Sequence, residues 1–114
     1  MKKIFLVLSL LLSMTVQAVF WDGTDVPLLD DFVIDENESF SFDTPEGQIL
    51  TLAGRTKTTV EKVRSFYVDS LTALGWQQKT PTIYHRDQDE LILKMSPDGK
   101  RGTRLQLQLT FANK

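Results

Sequence analysis

The sequence predicts an α+β fold: an antiparallel β-sheet in β-β-α-β-β-β order with one helix packed on one face. Three observations predict it. Leu105, Leu107, Leu109 and Phe111 alternate with Arg104, Gln106, Gln108 and Thr110, so the last strand has one apolar and one polar face. Such a strand belongs to a sheet covered on one side. Val60, Val63, Tyr67, Leu71 and Leu74 recur at helical spacing, with Phe66 at the edge of the stripe, and one amphipathic helix can supply that cover. Clusters of turn residues at Thr44-Pro45-Glu46-Gly47 and over residues 96–102 separate strands at hairpin spacing.

Each element has its own signal. Phe40 and Phe42 alternate with Ser39, Ser41 and Asp43, the pattern of a half-buried strand. Residues 48–56 form its hairpin partner, with Leu50 and Leu52 on one face and Ile49, Thr51 and Ala53 on the other. The helix is expected over residues 59–74. Thr58-Thr59-Val60-Glu61 reads as a capping box, and Gly75 ends the helix as a left-handed cap. The periodicity places Phe66, Tyr67 and Trp76 in the core rather than in an aromatic ligand cage. Three strands follow: one from Trp76 toward Arg86, interrupted near Pro81; one over residues 90–95; and the alternating final strand.

The N-terminus carries the three-part pattern of a secretory signal. Lys2 and Lys3 precede an apolar run over residues 4–12 broken by Ser9, and Val16-Gln17-Ala18 supplies a cleavage site. The apolar run is well short of the roughly 20 residues that span a bilayer. The expected organisation is therefore a signal peptide over 1–18, an acidic extended arm over 19–37 and an α+β domain over 38–114, with the protein exported to the periplasm. The sequence contains no cysteine, which excludes a lipid-anchored N-terminus, disulfides and thiolate metal sites.

Charge is unevenly spread. Residues 19–49 hold nine acids and no base, whereas residues 50–114 hold eleven bases and six acids. The net charge of −4 after residue 18 disfavours nucleic acid and anionic membrane surfaces as partners. The arm has apolar anchors at Val26, Leu28, Leu29, Phe32 and Val33. These are expected to dock on the domain, with the acids near bases such as Arg55, Lys57, Arg101 or Arg104.

Phe42-Asp43-Thr44-Pro45-Glu46-Gly47, Phe66-Tyr67, Leu71 and Leu74-Gly75-Trp76 resemble the motifs of a family of small uncharacterised exported proteins of Gram-negative bacteria, especially alphaproteobacteria. Asp25-Val26-Pro27-Leu28-Leu29 and Tyr84-His85-Arg86 fit the outer parts of its pattern. The resemblance implies a compartment and a fold and transfers no functional residue.

No catalytic, cofactor-binding or metal-ligating residue is assigned, and no cofactor is expected. His85 lies near Asp87 and Asp89, but one imidazole with turn carboxylates falls short of a zinc site. Ser39, Ser41, Ser65, Ser70 and Ser96 have no other base to activate them. Asp30, Asp31, Asp35, Glu36 and Glu38 lack the glycine and ligand spacing of a calcium loop. The expected function is a non-catalytic binding or accessory module of the cell envelope, meeting an envelope protein through the sheet edge or the acidic arm. The alternative is a small-ligand carrier or minor periplasmic enzyme with a pocket between helix and sheet. N-terminal sequencing of the exported protein should begin at Val19; a start before Phe5 would refute the signal peptide.

Overall fold

A computed structural model describes residues 19–112. The signal peptide expected over 1–18 lies outside the described residues. The chain forms β1 (Val19–Phe20), β2 (Pro27–Leu28), β3 (Val33–Ile34), a short 3-10 turn (Glu36–Glu38), β4 (Phe40–Thr44) and β5 (Gly47–Thr56). The helix α1 (Val60–Ala73) follows, then β6 (Gln77–Gln78), β7 (Ile83–Arg86), β8 (Asp89–Asp98) and β9 (Gly102–Ala112). β1 and β2 pair as a separate ribbon. The other seven strands build one sheet in the order β3-β5-β9-β8-β7-β6, with β4 pairing β5 in line with β3. Every pairing is antiparallel.

The α+β class holds, as a mainly antiparallel sheet with one helix. The β-β-α-β-β-β order does not: a third strand joins ahead of the hairpin, and four follow the helix. The region around Pro81 is a complete hairpin turn rather than an interruption. The amides of Thr82 and Ile83 donate to the Thr80 hydroxyl, and the Lys79 amide donates to the Ile83 carbonyl. That turn divides residues 77–86 into β6 and β7. β3 escapes periodicity because it is two residues long with both side chains exposed.

The core follows the strand register. Leu52, Leu107 and Leu93 lie abreast, and Leu50, Leu109 and Leu91 form the next row, which Tyr84 extends. Val63, Tyr67 and Leu71 of α1 pack onto this face, whereas Gln106 and Gln108 alternate onto the opposite one. The helix end is the expected left-handed cap. Gly75 has φ +93°, and the Trp76 amide donates to the Leu71 carbonyl at 2.9 Å while the Gly75 amide donates to Thr72. The helix start differs. Thr59 is the N-cap residue and makes no side-chain cap bond. No capping box forms on Thr58, whose carbonyl instead accepts the buried Thr103 hydroxyl at 2.7 Å. A sheet contact thus fixes the entry to the helix.

The sequence expectation that the single helix covers the apolar face is corrected: the 19–37 segment shares that work. Trp21, Val26 and Leu28 are buried in the same core as the helix, with Leu29 and Phe32 packed against it. The Tyr67 hydroxyl donates to the Pro27 carbonyl at 2.8 Å. The segment runs from the β7 side, where Asp25 meets Arg86, to the β5 edge, where Val33 pairs with Arg55 and Ile34 with Gly54. Gly54 permits this close approach: a methyl there would strike the Val33 carbonyl and the Phe32 ring. Gly54→Ala should therefore destabilise the protein by about 1–3 kcal/mol, the usual cost of overpacking. It should also expose residues 30–37 to limited proteolysis, read by thermal melting and mass spectrometry of the fragments.

Candidate functional site

The acids and bases considered from sequence do not converge. His85 pairs directly across β7–β8 with Glu90, Nε2 to Oε2 at 3.1 Å, and both side chains are partly exposed. Asp87 sits in the β7–β8 turn at φ +55°, and Asp89 Oδ1 accepts the Ala112 amide. The three residues thus point to three different tasks. The Ser39 hydroxyl donates to the Asp35 carbonyl and accepts the Ala53 amide, a structural role. Among the described residues no group of three or more His, Asp or Glu side chains is arranged to hold a metal.

The acids of residues 25–38 that make contacts are spread over three places. Asp31 accepts the Thr56 hydroxyl and the Lys57 amide. Glu38 meets Arg104 at 2.7 Å, with Asp35 at 3.9 Å from the same guanidinium. Asp25 receives both terminal nitrogens of Arg86, at 2.8 and 3.1 Å. Arg86 also donates to the Leu74 carbonyl at 3.1 Å and lies 4.4 Å from the centre of the Trp76 ring. Arm, helix end and β7 meet at this one side chain. The Arg86 hydrogen bond holds the Asp25 carboxyl below the usual carboxylate range, and Asp25 in turn raises Arg86. Tyr67, Trp76 and Tyr84 are core residues; burial pushes both tyrosine hydroxyls up in pKa.

The surface feature missed by periodicity lies on β4. Phe40 and Phe42 were expected to be half-buried. They are 55% and 48% exposed, and their rings stack at 5.9 Å. The register explains why. Thr44 pairs with Gly47, so Phe42 lies beside Ile49 and Phe40 beside Thr51, on the face opposite Leu50 and Leu52. Ser41 and Asp43, on the helix side, are exposed as well, so neither face of β4 is covered. Among the described residues β4 pairs only with β5, leaving its outer edge open. The strand has no lysine, proline or glycine to blunt that edge. The chemistry on offer is recognition: unpaired backbone groups beside two stacked rings can accept another strand.

A second feature is an open cleft of about 710 Å³ lined by Asp31, Val33, Arg55, Lys57, Asp98 and Arg101, among others. The charged ends of Arg55, Lys57 and Arg101 have no ion-pair partner among the described residues. The region between helix and sheet is instead filled by Tyr67, Leu71, Leu91, Leu105 and Leu107, all fully buried.

No family model, curated protein or solved structure matches the chain.

The Arg86–Asp25 contact has a pH signature. The folded pKa of Asp25 lies below its unfolded value, so the unfolded chain binds the proton more readily. The contact's stabilisation is present above about pH 4 and fades as pH falls below that range. Asp25 is half exposed, so the effect is small. Asp25→Asn should flatten the fall in melting temperature between pH 5 and pH 3; an unchanged slope would show that the pair contributes nothing.

Proposed function

We propose that this chain is a non-catalytic binding module exported to the periplasm, acting by strand addition at the β4 edge. The observation that carries the reading is the stacked, exposed Phe40–Phe42 pair on an edge strand covered on neither face. The fold gains little from these rings, and an exposed apolar edge invites pairing with another chain. The sequence proposed two contact surfaces, the sheet edge and the acidic arm. Val26, Leu28, Leu29 and Phe32 of the arm pack on the chain's own core, whereas Val33, expected as a fifth anchor, is exposed beside Ile34 on the two-residue β3; the longer β4, with its stacked rings, is the stronger candidate. Export rests on the N-terminal signal pattern and on the resemblance to small exported proteins of Gram-negative bacteria. No helix among the described residues is long and apolar enough to cross a membrane.

The runner-up is a small-ligand carrier. The unpaired cations of Arg55, Lys57 and Arg101 around one cleft favour an anionic ligand there. The cleft is open rather than enclosed, and the helix–sheet interior is filled, so this reading ranks second.

Affinity purification of the tagged protein from the periplasm separates the two. Phe40→Ser/Phe42→Ser should lose at least tenfold in retained partners, untagged copies of the chain included, while the circular-dichroism spectrum at the assay temperature stays that of the folded protein. His85→Ala should retain them. Partners that survive loss of both phenylalanines but are lost with Arg55→Ala would favour the cleft instead.

A further inference from the structure

We infer that the strand received at this edge is β4 of a second copy of the chain, paired about a two-fold axis through Ser41. The inference rests on β4 being the contact element and names its occupant.

The argument is one of parity and charge. A two-fold axis that continues a sheet stands normal to it, so each residue keeps its face in both copies. Residues directly opposite each other share a face, and the numbers of two opposed residues must therefore add to an even total. Of the five such registers centred within β4, that on Asp43 sets this carboxylate against its own copy and that on Thr44 sets Phe42 against the partner's Glu46, which leaves three. A register centred on Phe40 sets Phe42 against the partner's Glu38. One centred on Phe42 sets Phe40 against the partner's Thr44. The register centred on Ser41 sets Phe40 against the partner's Phe42 and, by symmetry, Phe42 against the partner's Phe40. Asp43 then faces the partner's Ser39, and Glu38 faces the partner's Thr44, so no two like charges are directly opposed. The residue on the axis faces itself, where any charge would repel; Ser41 is small and neutral.

The surroundings admit this pairing. Both faces of β4 are open, so the helix layers of the two copies do not collide over the seam. The two stacked pairs would join into a two-by-two cluster of rings on the face opposite the helix, flanked by Ile49 of each copy. Cross-strand aromatic pairs are the favourable unit of sheet stabilisation. Five paired residues a side fall well below the ~1,200 Å² of a stable interface, so the dimer is weak and depends on concentration. Each copy carries a net charge of −4 after residue 18, so added salt should strengthen association by screening.

The absence of cysteine makes the register directly testable. Opposed Cα atoms in an antiparallel pair lie about 4.5–5.5 Å apart, within disulfide range. Under mild oxidation Ser41→Cys should cross-link with itself at least tenfold faster than Gln88→Cys, an exposed control in the β7–β8 turn. Ser39→Cys should cross-link with Asp43→Cys faster than either does with itself. Sedimentation equilibrium of the cysteine-free protein should show mass rising toward twice the monomer with concentration and with salt. Phe40→Ser/Phe42→Ser should abolish that rise while the circular-dichroism spectrum at the assay temperature stays that of the folded protein. A protein that stays monomeric, with Ser41→Cys no faster than the control, overturns the inference. So does a dimer that survives loss of both phenylalanines. If a monomeric protein still loses its periplasmic partners with the double substitution, β4 stands as the contact element and its occupant is a different protein. If the double substitution changes neither association nor retention, the binding reading falls as well.

Discussion

The structure depends on a deficit of cover. A sheet six strands across is about 24 Å wide, whereas a helix with its side chains measures about 10–12 Å. The apolar face runs over four of these strands, from Leu52 on β5 through the leucines of β9 and β8 to Tyr84 on β7, about 14 Å between the outer strand axes, and is therefore wider than α1. The chain supplies a second element from its own start: Trp21, Val26 and Leu28 complete the layer that Val63, Tyr67 and Leu71 begin. Burying one such side chain contributes about 1.5–3 kcal/mol, so the arm's anchors outweigh the arm's exposed ion pairs, each worth ~0–1 kcal/mol. Charge guides the arm and apolar burial holds it.

Arg86 is where the two covering elements are joined. Its guanidinium takes the Asp25 carboxylate, the Leu74 carbonyl at the helix end and the Trp76 face together. The Coulombic part is small because Asp25 is half exposed. The larger part is positional: Trp76 is 2% exposed, and the cation over its ring ties the core to the surface. The Schellman turn at Gly75 sets Trp76 in place, and the hairpin of β6 and β7 brings Arg86 back over it. Three stretches distant in sequence therefore fix one another.

Much of the fold was legible in the residues. The alternation of β9, the stripe of α1 and the glycine stop at residue 75 all follow from local patterns that tertiary packing preserves. Three features escaped such patterns. β3 is too short for a period. Thr58 reads as a cap, yet its carbonyl is claimed by Thr103, a partner 45 residues away. The alternation of Phe40 and Phe42 reveals two faces without saying which is inside. That last answer was available by counting. A two-residue loop at Pro45-Glu46 makes Thr44 face Gly47, and the same count carried outward places Phe42 beside Ile49 and away from Leu50. Hydrophobicity argued for burial; register, fixed by the turn, overrode it.

The two faces of the sheet have divided their work. On the helix side every long apolar residue of the central strands is satisfied within the chain, by α1 or by the arm. On the other side the central strands present Gln106, Gln108 and Thr110 beside the half-buried Ile49 and Ile92, and the two stacked rings lie at the margin on β4. Scattered exposed hydrophobics need no explanation. Two stacked rings on an edge strand whose one charge is Asp43 are a different matter, because solubility alone would favour a lysine or a proline in their place. Neither ring belongs to the buried core, so folding does not account for both being aromatic. The proposed contact with another strand would use the same backbone groups that β5 leaves unpaired on the outer side of β4.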